Sequence, residues 1–545
     1  MAATVIARTA TSTTKELTRS LTFKKSANYG VDSTIALKDA NTAADTTKLT
    51  VNLGLKAGQK YSFSFYYASG GPTVSLIDST GKKTAVSMSQ GFTVAKSGNY
   101  QLTFEESSFL QSSIANLSIN AISLLPKSSG DTRIDALVLG GTNYWWHPAD
   151  AVVSKGTNQV TPTATSLDTG SSANALTFSF LSTAQGSTMD THGFMAMTTE
   201  QKNAVRQALA YYSKIINVSF TEVAGNGTGN LNFGTNNQNG ISAAYAYYPN
   251  SSSTPGKTTM FLANDQWTSS GQQLQAGGYG WETILHEIGH NLGLKHPGNY
   301  NAGGGGTPGP YLPASEDNRQ HTIMSYNDNS ASLGVNPTTA MVDDIAALQY
   351  LYGANKSGST ATNGAFSFTA GKNSLETLWS TNGTDTIDLS KLAKPSAVDL
   401  NAGSYSSINI TAATSSTYYS GNNNVGIAYG AAINNVKLSS TKGVAETVTL
   451  NNAYTTGAYD RIASFDAKDD KIALKTSLFG SLGSSNIEFG SAATKSTSKI
   501  VVNRTTGEVF YDADGNGKGL AKKIAQYTVA TGSAQLTATN FSFVA

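Results

Sequence analysis

Three histidines lie close together in the stretch HEIGHNLGLKH, and Glu287 directly follows the first of them. They are His286, His290 and His296, so half of the six histidines in this chain of 545 residues fall within 11 positions. On a helix, a spacing of four residues places His286 and His290 on one face, about one turn apart. Two imidazoles in this arrangement can bind one cation, whereas simple packing of histidines on a helix would not require such clustering.

The third histidine needs a change in chain direction, because a continuing helix would carry His296 past the cation. Gly293 can adopt positive φ and end the helix, and Pro297 prevents the helix from resuming. The pattern therefore predicts that His296 reaches the same cation from a loop. Three neutral imidazoles suit Zn²⁺ and leave a position open for water, which is typical of catalytic zinc sites.

Glu287 and Tyr326 are the candidate catalytic residues. Glu287 can reach a water activated by the metal without binding the metal itself, so it is the candidate general base and, later, the proton donor to the leaving amine. In the downstream segment HTIMSY, Met324 can form an apolar floor below the metal. Tyr326 can present its hydroxyl to the zinc or to the oxyanion of a substrate. This set predicts metal-assisted peptide hydrolysis without a covalent intermediate.

The elements around the motif must bury one face of its helix. Trp281, Leu285, Ile288 and Leu292 form an apolar face that can pack on a sheet. An earlier helix is predicted for MTTEQKNAVRQALAYYSKII, with a capping box formed by Thr198 and Gln201. Strands are predicted at LNFG from 231, ISAAYAYYP from 241 and TTMFLAN from 258, and a third helix from 341 to Gly353.

Composition and length predict a modular, β-rich protein. Charged residues make up 13% of the chain, about half the usual share, and a chain of this length is expected to form about two to four domains. We predict an N-terminal β-sandwich-like domain over residues 1–130, an α+β catalytic domain over 131–355 and an all-β domain, roll-like or sandwich-like, over 356–545. A secretion signal is expected at the end of the last domain.

Charge and cysteine content exclude several classes of function. The formal net charge is +2 without clustered lysine or arginine, so neither nucleic acid nor a membrane surface is an expected partner. With no cysteine, disulfides, thiolate metal sites and thiol nucleophiles are excluded. No apolar run approaches the roughly 18 residues of a membrane span. The N-terminal segment lacks the apolar stretch of a cleaved signal peptide, so export is expected to depend on another signal.

The stretches HEIGHNLGLKHPGNYNAG and EDNRQHTIMSY resemble the serralysin branch of the metzincin zinc endopeptidases, which Gram-negative bacteria secrete. The resemblance extends over residues 131–355. It implies zinc bound by His286, His290 and His296, catalysis by Glu287, a Met-turn at Met324, and Tyr326 as a ligand that leaves the metal during turnover. It also implies a cleft between the zinc helix and the edge strand ISAAYAYYP, where a peptide adds to the sheet as an extra strand. The N-terminal stretch LKAGQKYSFSF resembles β-sandwich modules of secreted bacterial peptidases.

The C-terminal region departs from this family, because the calcium-binding repeat G-G-x-G-x-D-x-U-x is missing. In LWSTNGTDTIDLS, Asp385 and Asp388 remain, but Ser380 and Asn382 replace the family's Asp and Gly. We therefore expect a domain with the general shape of the calcium-filled roll but without its ions. The segment YDADGNGKG, with Asp512, Asp514 and Asn516, is interpreted as a hairpin turn, with a calcium loop as the alternative. The final QLTATNFSFVA resembles the uncleaved signals of one-step bacterial exporters, with a plain edge strand as the alternative.

The leading hypothesis is a secreted, extracellular zinc metalloendopeptidase that acts on extended protein or peptide substrates and is exported by a one-step bacterial exporter. The alternative is a catalytically inactive secreted binding protein, or a surface-layer-associated protein, on a protease scaffold. The intact set of His286, Glu287, His290, His296 and Tyr326 argues against that alternative, since an inactive site has no need of a base.

Overall fold

A computed structural model of the chain describes residues 15–21, 24–25, 31–39, 46–55, 60–66, 72–88, 91–105, 115–122, 129–139, 152–154, 159–161, 174–249, 257–302, 304–329, 333–411, 419–451 and 458–545. The chain divides into two compact units, one formed mainly by residues up to 126 and the other mainly by residues from 127 onwards. Within the described ranges, every helix is too short or too polar to cross a membrane.

The described residues of the first unit form ten strands in two five-stranded sheets. The strands are β1 (Lys15–Leu21), β2 (Lys24–Lys25), β3 (Val31–Asp39), β4 (Thr46–Leu55), β5 (Lys60–Tyr66), β6 (Thr73–Ile77), β7 (Lys83–Ala85), β8 (Phe92–Thr93), β9 (Gly98–Glu105) and β10 (Ala115–Ile122). One sheet has the order β1-β4-β9-β6-β7 and the other β2-β3-β10-β5-β8.

Alternating apolar residues give these two sheets a common core. Leu49, Val51 and Leu53 alternate along β4 and are buried, as expected for a strand with one covered face. Phe63 of β5, in the other sheet, packs edge-on against Phe104 of β9 with ring centroids 6.3 Å apart. The alternation along these strands therefore brings the apolar faces of both sheets into one core.

The part of the second unit that contains the histidine motif combines a mixed sheet with helices. Its elements are α1 (Thr132–Leu137), β11 (Val152–Ser154), β12 (Gln159–Thr161), β13 (Asn174–Phe180), α2 (Thr188–Thr191), α3 (Thr199–Ile215), β14 (Val218–Glu222), β15 (Leu231–Asn236), β16 (Ala244–Ala246), β17 (Thr258–Ala263), α4 (Tyr279–Asn291) and α5 (Val342–Tyr352). The five-stranded sheet has the order β14-β13-β15-β17-β16. All neighbours are parallel except β16, which pairs antiparallel with β17 at the edge.

The strand predicted from residue 241 is shorter than expected, since β16 covers only Ala244–Ala246. Just before it, Asn239 and Gly240 have φ of 56° and 69°, so the chain turns there instead of extending. The edge position of β16 leaves one side of this strand without a β-strand partner among the described residues.

The helices match their sequence signals. The capping box of Thr198 and Gln201 is present at the start of α3 and is confirmed. The apolar face of α3 packs on α4, where the hydroxyl of Tyr212 donates to the carbonyl of Leu285 at 2.7 Å. Helix α5 ends at Gly353, whose φ is 75°, as the sequence predicts.

In the described C-terminal part of the second unit, nearly all regular secondary structure consists of short β-strands, which turns and loops connect. Its elements are β18 (Ala365–Ser367), β19 (Glu376–Leu378), β20 (Thr386–Asp388), β21 (Ser396–Asp399), β22 (Tyr405–Ser406), β23 (Val425–Ile427), β24 (Asn435–Lys437), β25 (Glu446–Thr449), β26 (Asp460–Phe465), β27 (Lys471–Lys475), α6 (Thr476–Phe479), β28 (Ile487–Phe489), β29 (Ile500–Asn503), β30 (Glu508–Tyr511), β31 (Lys522–Val529) and β32 (Phe541–Val544).

Strands β20, β24 and β26 pair in parallel in one sheet, and β21, β25 and β27 pair in parallel in another. Because these strands alternate along the chain, each turn of chain passes from one sheet to the other, as in a parallel roll. The segment from Asp512 connects the antiparallel strands β30 and β31, so the prediction of a hairpin is confirmed. The final residues form β32, which pairs in parallel with β27 at a sheet edge.

Candidate metal centre

The end of α4 brings the three histidines together. His286 and His290 lie on the helix, which ends at Asn291. Gly293 then has a φ of 104°, the positive value that the sequence predicts. The amide of Leu294 donates back to the carbonyl of Gly289 at 2.9 Å, which closes the helix end and reverses the chain. His296 therefore approaches the helical pair from the loop.

The three imidazoles converge through their Nε2 atoms. Nε2 of His296 lies 3.1 Å from Nε2 of His286 and 3.1 Å from Nε2 of His290. The three ligand atoms all lie within 4.8 Å of one another. Within the described ranges, this is the one group of three or more histidine or acidic side chains with metal-binding geometry.

The other ring nitrogens determine which tautomer is present. Each Nδ1 atom faces a backbone carbonyl: that of Ile323 for His286 at 2.7 Å, that of Leu294 for His290 at 2.7 Å and that of Tyr300 for His296 at 2.9 Å. Since a carbonyl only accepts hydrogen bonds, each Nδ1 carries the proton and donates it. The Nε2 lone pairs then point towards the common centre, which is the orientation of histidine ligands in metal sites.

Burial keeps these rings neutral. It lowers the pKa of His286 to about 3, lowers the pKa of His290 well below its usual value, and also lowers the pKa of His296. Three neutral rings whose lone pairs converge on one point favour a cation between them. Nitrogen ligands of a tetrahedral zinc stand about 3.3 Å apart, given Zn–N bonds of about 2.0–2.1 Å. The donor set and its spacing fit Zn²⁺.

Glu287 lies beside this centre on α4 and has a free acceptor. Its side chain is 6% exposed, and no hydrogen-bond partner of Oε2 occurs in the part of the chain that the structure describes. Burial raises the pKa of this carboxyl to about 8. A nearby cation favours the carboxylate, so metal binding would lower this pKa. A carboxyl with these properties can exchange a proton near neutral pH.

Met324 lies against the helix beneath the histidines. It is fully buried, and a Cβ placed on Gly289 would lie 3.0 Å from its Sδ. Gly289 therefore allows Met324 to approach the helix between the two helical histidines. The sequence analysis identified Met324 but missed Gly289, because a small residue inside a motif gives no sign of what packs on it.

Tyr326 lies at the open side of the site. It is 50% exposed, and its ring centroid is 4.7 Å from that of His296 and 6.0 Å from that of His286. Partial burial raises the pKa of its hydroxyl, so the group remains a proton donor at neutral pH. Two further tyrosines, which the sequence analysis missed, border the site. Tyr300 lies 4.9 Å from Tyr326, and Tyr248 lies 5.3 Å from His290, measured between ring centroids.

A partly buried carboxylate connects the loop of His296 with the segment of Met324. Asp317 Oδ1 accepts hydrogen bonds from the hydroxyl of Tyr300 at 2.6 Å and from that of Ser325 at 2.6 Å. Because the Tyr300 carbonyl also accepts from His296, this contact helps to hold the third histidine. The motif EDNRQ contains Asp317, but its partners are distant in sequence and could not be read from the pattern.

Comparison with known proteins gives an independent identification of this region. Residues 174–302 match the family model of the matrixins, Peptidase_M10. The metallopeptidase AprA of Pseudomonas marginalis is 35% identical over 259 residues, which are 43% of this chain and 54% of the relative. Serralysin C of Dickeya chrysanthemi is 36% identical, with 44% of this chain and 53% of the relative covered. The serralysin of Proteus mirabilis is 37% identical, with 38% and 48% covered.

The chain spans about half the length of these relatives. The matched segment contains the elements from β13 to α4, together with Gly293 and all three histidines. Fold, donor set and sequence similarity therefore agree with the resemblance seen in the motif. The central region of this chain is similar to the matrixins and to the serralysins, as the motif resemblance implied.

Proposed function

We propose that this protein is a secreted zinc-dependent endopeptidase that hydrolyses peptide bonds in extended protein substrates. The observation that carries the proposal is the convergence of three Nε2 lone pairs beside a buried carboxyl with a free oxygen. Hydrolysis by a metal site of this kind needs three protein ligands, an open position and a nearby base. His286, His290 and His296 supply the ligands, and Glu287 supplies the base.

When bound, zinc would polarise the scissile carbonyl and make water a stronger acid. His286, His290 and His296 would hold the ion. Glu287 takes a proton from the attacking water through Oε2 and gives it to the leaving amine. Tyr326, whose half-exposed hydroxyl remains protonated, donates a hydrogen bond to the substrate oxygen as negative charge develops there. The same hydroxyl would serve as a further ligand of bound zinc between turnovers.

The substrate is proposed to bind along β16. This strand lies at the edge of the sheet and next to α4, so its free backbone groups border the metal centre. Tyr248, two residues after β16, reaches the ring of His290. An extended peptide that pairs with β16 would place its backbone beside the zinc ligands, and recognition would depend mainly on backbone hydrogen bonds.

We propose that the regions before and after the catalytic domain take no direct part in peptide hydrolysis. We assign a β-sandwich module to residues 1–130, the catalytic domain to 131–355 and a roll-like β-domain to 356–545. The two sheets with one core and the alternating parallel strands support these assignments. The similarity to serralysins supports secretion. Recognition of the C-terminal tail by a bacterial exporter is part of the same proposal.

The test is hydrolysis of casein by the purified protein, before and after removal of metal with a strong zinc chelator and after zinc is restored. We expect activity that disappears with the metal and returns with it. A Glu287→Ala variant should retain zinc and lose activity. If the zinc-loaded wild type cleaves neither casein nor a set of extended peptides, the protein is the inactive binding protein on a protease scaffold, and the proposal is wrong.

A further inference from the structure

We propose that Thr322 and Asp344 form a positioning relay that orients the metal ligand His286 and makes it a stronger ligand. The inference rests on the proposed function, because it concerns the same zinc site. Neither residue touches the metal centre directly. The relay is the chain of hydrogen bonds that connects the ring of His286 to the carboxylate of Asp344.

The relay consists of three consecutive hydrogen bonds. Nδ1 of His286 donates to the carbonyl of Ile323 at 2.7 Å. The amide of the same peptide group belongs to Met324 and donates to Oγ1 of Thr322 at 3.0 Å. The hydroxyl of Thr322 in turn donates to Oδ1 of Asp344 at 2.6 Å. Every donor points in the same direction, so the chain runs from the imidazole to the carboxylate without interruption.

The relay is shielded from water. Thr322, Met324 and Asp344 are completely buried, and Ile323 is 1% exposed. In such surroundings, successive hydrogen bonds polarise and strengthen one another. A charge at one end can therefore influence the group at the other end more strongly than it would at the protein surface.

The carboxylate of Asp344 is stabilised by hydrogen bonds and not by an ion pair. Its Oδ2 accepts from the amides of Ile323 and Met341, both at 2.8 Å. In the described part of the chain, no lysine, arginine or histidine side chain forms an ion pair with it. Burial raises the pKa of Asp344 to about 6, so the group remains ionised at neutral pH. A cation held by His286 would lie at the other end of its hydrogen-bond chain.

His286 differs in this respect from the other two ligands. The carbonyls that accept from His290 and His296 belong to peptide groups whose amides donate to further backbone carbonyls: Lys295 to Leu137 at 2.7 Å and Asn301 to Gly304 at 2.5 Å. The hydrogen-bond chains from His290 and His296 therefore lead to neutral carbonyl groups, whereas the hydrogen-bond chain from His286 leads to the negatively charged carboxylate of Asp344. Carboxylates behind a ligating histidine fix its tautomer and raise its basicity. The relay achieves the same effect through a peptide group and a hydroxyl.

The test is the affinity of the full-length protein for zinc, measured by competition with a chromophoric chelator. Thr322→Val removes the hydroxyl with little change in shape, and Asp344→Asn removes the charge. We expect each variant to bind zinc roughly 10–100-fold more weakly, as for other residues behind metal ligands. Both substitutions interrupt the same chain of hydrogen bonds, so their effects should not add. The double variant should bind zinc only slightly more weakly than the single variant with the lower zinc affinity. Thr322→Ser should retain nearly the wild-type affinity.

Asp343→Asn is the matched control, because Asp343 is a buried neighbour on α5 whose carboxylate lies 3.8 Å from His321 and outside the relay. It should leave zinc affinity unchanged. Thermal unfolding and near-ultraviolet circular dichroism identify variants that do not fold. If Asp344→Asn does not fold, the relay is tested by the difference in zinc affinity between Thr322→Val and Thr322→Ser. Wild-type zinc affinity in folded Thr322→Val would overturn the relay.

The outcomes separate the relay from the proposed function. A wild type that binds zinc but does not cleave casein would refute the proposed function alone. An active wild type whose Thr322→Val variant binds zinc equally well would refute the relay alone. A wild type that does not bind zinc would refute both.

Discussion

The histidine centre and the turns of the C-terminal roll both contain clusters of hydrogen-bond acceptor atoms. They differ in whether donor groups of the protein form hydrogen bonds with those acceptors. At the centre, the Nε2 atoms of His286, His290 and His296 face one another, and each Nδ1 proton is already used elsewhere. In the roll, Asn382 Oδ1 accepts from the amides of Thr384 and Asp385 at 2.9 and 3.1 Å. The first arrangement needs a cation, whereas the second is satisfied by the protein.

Other turns of the roll repeat this arrangement. Glu446 accepts from the amide of Ser439 at 2.6 Å, and Asp470 accepts from the amides of Glu446 and Asp466 at 3.0 and 2.7 Å. Backbone donors thus occupy oxygens that could otherwise bind calcium. A cluster of acceptor atoms therefore indicates a metal site only when the surrounding hydrogen-bond donors leave the lone pairs of those atoms free. A roll that holds its shape without calcium therefore stays a prediction with a physical reason.

The largest effect should come from the base at the histidine centre. Glu287→Gln removes the proton acceptor and keeps the shape of the side chain, so kcat for a peptide substrate should fall roughly 10²–10⁴-fold. Zinc content, measured by elemental analysis, should remain that of the wild type. Unchanged kcat would show that Glu287 is not the base and that the free oxygen has another purpose.

The next effect separates the two regions by their response to metals. Zinc at about a thousandfold excess over its dissociation constant should stabilise the folded protein by about 4 kcal/mol, because the histidines bind it only when folded. Calcium should leave the unfolding temperature nearly unchanged, since backbone donors already occupy oxygens of Asn382, Glu446 and Asp470 in the roll's turns. Thermal unfolding of the metal-free protein with each ion measures both. A large stabilisation by calcium would contradict the distinction drawn between the regions.

A smaller effect is expected from packing beneath the centre. In Gly289→Ala, the new methyl group would lie 3.0 Å from Sδ of Met324, so the buried segment must shift. We expect a loss of about 1–3 kcal/mol in the free energy of unfolding, partly offset by the better helix propensity of alanine. Gly483→Ala in the C-terminal region is the control, because nothing lies within 4 Å of its added Cβ. Equal stability of both variants would argue against tight packing of Met324.

The smallest effect should be found in a turn of the roll. Asn382→Ala leaves the amides of Thr384 and Asp385 without their acceptor, which should cost about 0.5–1.5 kcal/mol of stability. Zinc affinity should not change, because this turn takes no part in the histidine centre. Urea unfolding and zinc competition measure the two quantities. A variant that lost calcium binding instead would reveal an ion site in this turn.

Sequence patterns were sufficient to predict those structural features that depend on residues close together along the chain. The spacing of His286 and His290, the positive φ of Gly293 and the capping box at Thr198 follow from helix geometry and from the conformational freedom of glycine. The hairpin at Asp512 follows equally from local turn chemistry. The sequence predicted edge strand β16 at the correct place but with too many residues, because the alternation of apolar and polar residues does not show where a turn ends and a strand begins.

The tertiary structure alone decided which distant groups complete the site. Tyr248 lies beside His290, Asp317 connects Tyr300 to the segment of Met324, and Thr322 meets Asp344 across 22 positions of the chain. Local sequence alone was enough to bring three histidines and Glu287 together, since one helix and one glycine position those side chains. What orients the ligands depends on packing between elements, because hydrogen bonds between residues far apart in sequence form only when the buried surfaces that bring them together are complete.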